Sequence, residues 1–380
     1  AAGVSHEPPS VLMLAPVHRA WGNRVVRECV SLAEAGYRVR ALMRCEQEHV
    51  AEGVTFLPAP AYRNRLQRFL NLPRVLHMAL AQRADIYHLH NPDMIPLALL
   101  LKLLGKTVIY DTHEDYSQRL LLRSWLPKPL RRPLGYLLSL AERGLSYWLD
   151  ATLVTQERQL PRFSKRCRLL RNAPVLSVTL MARVSAQAKL LAREARPYRL
   201  IYAGGLSRAR GLFNALDALQ ALNARGLATR LWLLGPELEP CLEQAMRHPA
   251  WAHVDYLGLQ AHETVLAHMM RADIGLAVLA DEGDHAAARP TKLFEYMACG
   301  LPFVASDFPL WREFVGDRGG LWVRADDPAG LLEALFALLE DDAWRRELAA
   351  QGGEFVAGFN WGEEQQNLLS LYEKLSRRMG

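Results

Sequence analysis

The chain runs Arg289-Pro290-Thr291-Lys292, then Leu293-Phe294-Glu295-Tyr296-Met297-Ala298, then Cys299-Gly300-Leu301-Pro302-Phe303-Val304-Ala305-Ser306. Two cations and a hydroxyl at a helix start make an anion site, because free N–H groups and the positive end of the helix dipole converge there. Glu295 follows Thr291 by one helical turn, which brings its carboxylate to the same helix end. A carboxylate repels phosphate but accepts hydrogen bonds from a diol such as a ribose. These residue types at this spacing predict a pocket for a nucleoside diphosphate. A second anion site is expected at Gly204-Gly205-Leu206-Ser207-Arg208-Ala209-Arg210-Gly211, where glycines free the backbone ahead of a helix and two arginines stand at its start.

The elements that must hold these side chains can be read from the pattern. Pro290 suits the first helical position, Leu293, Phe294 and Met297 recur at helical spacing, and Gly300 with Pro302 stops the helix before a short apolar strand. Upstream, the strands Val11–Ala15, Tyr37–Met43, Val54–Leu57, Asp85–His90, Thr107–Tyr110 and Ala151–Thr155 alternate with helical stretches such as Arg24–Ala35. The alternation restarts at Tyr198–Ala203 and continues through Leu231–Gly235, His253–Gly258 and Asp273–Leu279. Repeated strand–helix alternation predicts an α/β chain of two Rossmann-like domains with parallel sheets. The domains are expected at residues 1–180 and 198–359, with the Ala-rich, charged stretch 181–197 as linker and a helix over 360–380.

A chain of 380 residues suits two or three domains, and half its residues are hydrophobic. No apolar run reaches the roughly 20 residues that span a bilayer. Ala1–Ser10 is polar and Val11–Ala15 is too short for the core of a signal peptide. The five cysteines lack metal-ligand spacing, which predicts reduced thiols in a cytoplasm-facing protein. Net charge is +6, made of +13 over residues 1–195 and −7 over residues 196–380. The excess gathers in Tyr62–Arg83, where Arg63, Arg65, Arg68, Arg74 and Arg83 interleave with apolar residues, and in Arg119–Leu149, with Trp125, Lys128, Arg131, Arg132, Tyr136 and Trp148. Such segments fit an anionic membrane surface or a lipid-linked acceptor; the alternative is amphipathic helices packed on a sheet with their arginines in water. No nucleic-acid motif accompanies the charge. His88 and His90 point the same way from one strand, but the sequence nominates no third ligand, so no metal site is expected. Neither opening βα turn carries the dinucleotide glycine pattern, which counts against a nicotinamide dehydrogenase.

The segment Pro290–Ser306 resembles the donor-site signature of the retaining glycosyltransferases of family 4, with at least ten positions in register. Arg24–Val39 resembles the family's first helix and turn, and Arg168–Pro174 its strand and Asn-x-Pro turn. The resemblance implies the GT-B fold, two domains facing across a cleft, with the last helix crossing back to the first. It implies a metal-independent transfer that retains configuration, from a nucleotide-diphosphate sugar to a saccharide or lipid-linked acceptor. No cofactor is implied beyond that donor, and the setting is the inner face of the cytoplasmic membrane, in bacterial surface-polysaccharide or glycolipid assembly. Arg210, Lys292 and His113 take the catalytic roles, Arg210 standing where the family has a lysine. Glu295, Arg208, Gly204, Gly205, Thr291 and Leu293 would bind the donor, and Gly22 and Arg24 would form the acceptor-side loop. Gly205 stands where an arginine is common, and Arg208 is expected to compensate. Ala287 replaces the first glutamate of the family's E-x7-E motif, and Asp281, Glu282 and Asp284 are out of register with it. That departure leaves room for a less typical subgroup or an inactive member. Two other readings stand beside the transferase: a same-fold epimerase or phosphorylase, and a non-catalytic nucleotide-sugar or lipid-binding partner.

Overall fold

The computed structural model describes residues 7–116, 120–122, 125–283 and 285–380. The chain divides into one unit of Ala1–Ala173 with Gly362–Gly380 and a second of Pro174–Trp361.

The first unit holds β1 (Ser10–Arg19), β2 (Arg38–Arg44), β3 (His49–Ala51), β4 (Val54–Pro58), β5 (Ile86–His90), β6 (Thr107–Asp111), β7 (Ala151–Val154) and β8 (Cys167–Leu169). They form one sheet in the order β3-β4-β2-β1-β5-β6-β7-β8. Every pairing is parallel except that of β3 with β4. Sequence reading missed β3, which is three exposed residues leading into a turn and carries no hydrophobic pattern. It also ended β1 at Ala15, whereas the strand continues past a break in register to Arg19. Val11–Ala15 are all 0 % exposed. A run apolar at every position is what a parallel strand covered on both faces requires. On one face Leu12, Leu14, Leu89 and Val108 pack with Val75 and Ala79 of the helix Leu72–Ala81 and with Leu97 and Leu101 of Ile95–Leu103. Each such leucine contributes about 1.5–3 kcal/mol by leaving water. The chain's last helix, Trp361–Met379, buries Leu368, Leu371, Tyr372 and Leu375, a stripe at helical spacing. Its Glu364 accepts from the Arg171 backbone N–H at 2.8 Å and pairs with the Arg171 guanidinium at 3.0 Å.

The second unit holds β9 (Tyr198–Ala203), β10 (Thr229–Leu234), β11 (Val254–Gly258), β12 (Ile274–Ala277), β13 (Phe303–Ser306) and β14 (Gly320–Val323), in the order β11-β10-β9-β12-β13-β14 and parallel throughout. Counted from the unit's own first strand, this is the order three-two-one-four-five-six of a doubly wound dinucleotide fold. The strands β4-β2-β1-β5-β6-β7 repeat it in the first unit. Open sheets of this kind take ligands where the order reverses, beyond the carboxyl ends of the strands. In the second unit that point lies between β9 and β12.

The boundary falls at Ala173/Pro174, earlier than the stretch 181–197 suggested. Part of that stretch is the helix Val178–Lys189, capped by the Ser177 side chain, with Val184 and Ala188 buried. It is tied to the helix His262–Arg271 by Arg183–Glu263 at 2.8 Å and Gln187–Thr264 at 3.0 Å. Its many alanines and charges read as a linker because only two positions of its buried stripe are recognisably core.

Candidate functional site

Beyond the ends of β9 and β12 lies a cavity of about 310 Å³. The predicted residues Gly204, Gly205, Arg210, Thr291, Lys292 and Leu293 all line it. Its first wall is the glycine loop. The Tyr202 hydroxyl donates to the Gly205 carbonyl at 2.7 Å, and the Arg210 N–H donates to Ser207 Oγ at 3.1 Å. Gly211 is left-handed, with φ +82°, and a Cβ there would lie 2.3 Å from the Val278 carbonyl oxygen. Only glycine lets the loop pass so close to the segment after β12 and then start the helix Leu212–Ala224. The Ala280 N–H donates to the Ala209 carbonyl at 2.8 Å and joins the two segments.

The second wall is that segment and the helix Thr291–Ala298. Ser306 Oγ donates to the Leu279 carbonyl at 2.6 Å, and Trp311 Nε1 donates to the Ala288 carbonyl at 2.8 Å. Pro290 caps the helix instead of opening its first turn. The Thr291 N–H bonds the Arg289 carbonyl at 2.9 Å, and this tight turn holds Pro290 at a non-helical ψ of 52°. Gly300 ends the helix at φ +67°, as its position suggested. The Arg210 guanidinium is half-buried and has no hydrogen-bond or ion-pair partner among the described residues. A cation kept from water without a counter-charge favours an anion in the cavity.

Glu295 is 7 % exposed. Its Oε1 lies 3.1 Å from Lys292 Nζ and its Oε2 2.5 Å from His262 Nε2. Burial works to raise the Glu295 pKa, but the hydrogen bond from His262 and the charge of Lys292 outweigh it and hold the group below its ordinary value. The same bond holds His262 above the ordinary histidine value, against its partial desolvation. Sequence reasoning did not find His262. It lies 33 residues from its partner, in no motif, and only the packing of two helices joins them.

Arg208 does not line this cavity. Its backbone N–H donates to Glu239 at 2.6 Å, and its guanidinium bonds Gln244 at 3.1 Å and lies over the Phe213 ring. A Cβ at Gly205, where the family commonly has an arginine, would come within 2.1 Å of the tip of the exposed Leu238 side chain, which would have to turn aside. Asp281 and Glu282 are exposed, while Asp284 and Arg119 lie outside the described residues.

His113, Gly22 and Arg24 belong to the first unit. Gly22 has φ +67°, with open space around its Cα. Arg24 is 3 % exposed and sits in a buried polar cluster, not on the loop. It donates to Asp111 Oδ1 at 2.8 Å, to the Leu170 carbonyl at 2.7 Å, to Asn172 Oδ1 at 3.2 Å and to Glu28 Oε2 at 3.4 Å. His88 Nε2 lies 2.9 Å from Asp111 Oδ2, and His88 Nδ1 lies 2.7 Å from the Tyr372 hydroxyl. His90 Nδ1 lies 2.8 Å from Nε2 of His113, whose carbonyl accepts from Asn172 at 3.0 Å. Glu28, His88, His90 and Asp111 bring ligand atoms within 4.8 Å of one another, so the fold supplies the two carboxylates that the sequence did not nominate beside the histidines. Arg24 already provides the positive charge there. Burial and the nearby Asp111 carboxylate push Glu28 well above its usual range. Arg24 and His88 hold Asp111 well below its range despite burial.

Comparison with known proteins agrees with both units. Residues 21–166 match the family described as glycosyl transferase 4-like domain, and residues 197–341 match glycosyl transferases group 1. A phosphatidyl-myo-inositol mannosyltransferase of Mycolicibacterium smegmatis is 30 % identical over 171 residues, 44 % of this chain and 42 % of that one. The match therefore spans less than half of that relative. Sucrose-phosphate synthase from Thermosynechococcus elongatus superimposes with a TM-score of 0.70 over 97 % of this chain and 100 % of that one, at 19 % identity. Anabaena HepE, solved in complex with UDP, gives a TM-score of 0.65 over 96 % of this chain and 100 % of that one, at 13 % identity. Two family matches that together cover more than two thirds of the chain, on two sheets of doubly wound order, make it a member of glycosyltransferase family 4, with the GT-B fold.

Proposed function

We propose that this protein transfers a hexose from a nucleotide-diphosphate sugar to a saccharide or lipid-linked saccharide, retaining configuration. The observation that carries the reading is Arg210, whose guanidinium has no partner among the described residues, in a cavity shared with Lys292 and the start of the helix Thr291–Ala298. In this reaction the bond between the anomeric carbon and the diphosphate oxygen breaks, and an acceptor hydroxyl bonds the same face of that carbon. The acceptor's proton passes to the leaving phosphate. Negative charge grows on that phosphate, so fixed donors aimed at it lower the barrier. Arg210 and Lys292 supply that charge in this scheme, which calls for no metal. Glu295 receives the ribose hydroxyls and His113 the sugar. The UDP named with the Anabaena structure and the mannosyl transfer named for the mycobacterial relative support a nucleotide-sugar donor.

The acceptor belongs at a membrane surface. The helix Lys128–Trp148 exposes Leu130, Leu134, Tyr136, Leu137, Leu140 and Tyr147 beside its basic residues. The helix Arg65–Leu70 exposes Leu66, Phe69 and Leu70, and Arg65 lies over the Trp125 ring at 3.7 Å. The proposed contact is peripheral, through these exposed apolar and basic side chains; among the described residues no helix is long and apolar enough to cross a membrane.

Calorimetry with UDP, GDP and ADP, followed by transfer assays with their sugar conjugates, tests the proposal. Each charge-assisted contact is worth roughly 1.5–3 kcal/mol. Arg210→Ala and Glu295→Ala are therefore expected to lose affinity or transfer by about tenfold to a hundredfold or more. His113→Ala is expected to lose transfer while keeping the affinity for the diphosphate. Folded Arg210→Ala and Glu295→Ala proteins that bind and transfer like the wild type would sink the assignment.

A further inference from the structure

Glu295 presents a carboxylate whose two oxygens are each already engaged once. Lys292 Nζ reaches Oε1 at 3.1 Å, and His262 Nε2 reaches Oε2 at 2.5 Å. A carboxylate accepts about four hydrogen bonds. One acceptor position per oxygen is left, and the two vicinal hydroxyls of a ribose donate two bonds. A buried carboxylate free to rotate would lose that match. Here its plane is set from two directions, by Lys292 on its own helix and by His262 on another. The His262 helix is itself anchored one residue on, where Glu263 meets Arg183 at 2.8 Å, and Thr264 meets Gln187 at 3.0 Å.

We infer that His262 is a positioning residue for the donor's ribose: it fixes the Glu295 carboxylate for a ribonucleoside diphosphate and makes that recognition pH-dependent. The inference rests on the donor reading above. The His262 side chain is 58 % exposed, so it exchanges protons with solvent although the bond it makes is shielded. The charged groups facing it are Glu295 and Lys292 from the helix Thr291–Ala298 and Glu263 from its own helix; Arg183, on the helix packed alongside, is engaged by Glu263. Glu295 favours the imidazolium and Lys292 opposes it, and the balance lies above the ordinary histidine value. Below that point the bond to Glu295 is charge-assisted at both ends. Above it the imidazole is neutral and the bond keeps only the carboxylate's charge, which weakens it. Grip on the ribose therefore weakens as pH rises through the His262 pKa.

Binding of UDP, GDP and ADP, and of their 2′-deoxy forms, is measured by calorimetry between pH 5.5 and 8.5, with inorganic pyrophosphate as a ribose-free control. For the nucleotide that binds, the wild type is expected to prefer ribose over 2′-deoxyribose by about tenfold at low pH, and less at high pH. His262→Ala is expected to lower that preference to about twofold and remove its pH slope, with pyrophosphate affinity unchanged. His262→Gln, which keeps a donor that does not titrate, is expected to restore the preference without the slope. A His262→Ala protein that retains both the ribose preference and its pH slope overturns the inference while leaving the donor reading intact. A wild type that binds none of the diphosphates overturns both. Loss of pyrophosphate affinity to the same extent as nucleotide affinity would show a merely structural role and also overturn it.

Discussion

At the residue scale, the two units treat buried charge differently. In the first, Arg24 bonds Asp111 and three further acceptors, and removal of either partner would strand a buried ion. In the second, the Arg210 guanidinium has no hydrogen-bond or ion-pair partner among the described residues, and Lys292 and His262 each engage one oxygen of Glu295. Glu142 is a third case. It lies buried on the helix Lys128–Trp148, accepts from the Tyr110 hydroxyl at 2.7 Å, and burial pushes its pKa up to about 7. The folded chain therefore holds this proton at pH values where the unfolded chain, with an ordinary carboxyl near 4.5, has released it. The folded state binds more protons there, so stability falls as pH rises between about 4.5 and about 7 and is flat above. Glu142→Gln keeps an acceptor for Tyr110 without a charge. Urea unfolding should show this slope flattened in the variant, with a gain of about 2–3 kcal/mol over the wild type at pH 8. An unchanged slope would mean that Glu142 is ionised in the folded protein.

At the scale of elements, the cavity beside Arg210 and Lys292 depends on two segments that approach closer than side chains permit. Gly235, at the end of β10, has φ +144°, and a Cβ on it would lie 1.7 Å from the carbonyl oxygen of Gly204. No rotamer relieves that contact, since the obstacle is backbone. Gly235→Ala must therefore push the glycine loop away from the cavity. Gly226 is also left-handed, at φ +84°, but has open space around it. Gly226→Ala should cost about 1 kcal/mol with nucleotide affinity unchanged. Gly235→Ala should cost more than about 3 kcal/mol and weaken nucleotide binding at least tenfold, read by unfolding and by calorimetry. Equal behaviour of the two variants would show that the loop position is not set by this approach. The helix Val178–Lys189 makes a related point: the chain positions His262 through a helix that the sequence presents as a linker.

At the scale of the molecule, the positive charge gathers in the first half, and the exposed apolar side chains of the helices Arg65–Leu70 and Lys128–Trp148 lie within it. Co-sedimentation should therefore find the protein on vesicles containing anionic lipid at low salt and released as salt rises, with neutral vesicles left unbound. Indifference to anionic vesicles at low salt would remove the membrane proposal. The sequence by itself determined the alternation of strand and helix, since an apolar strand buried on both faces and an amphipathic helix are local patterns. It also marked Gly204–Gly211 and Arg289–Lys292 as candidate anion sites, because glycine freedom and helix-start charge are properties of neighbouring residues. The tertiary structure decided which of these charges face the cavity. It turned Arg208 onto Phe213 and Gln244, drew Arg24 into the polar cluster, and left the Arg210 guanidinium without a partner among the described residues. It also set His262 against Glu295 and gathered Glu28 and Asp111 around His88 and His90. Those pairings join residues far apart in the chain, and only the packing of helices on the sheets sets the distances between them.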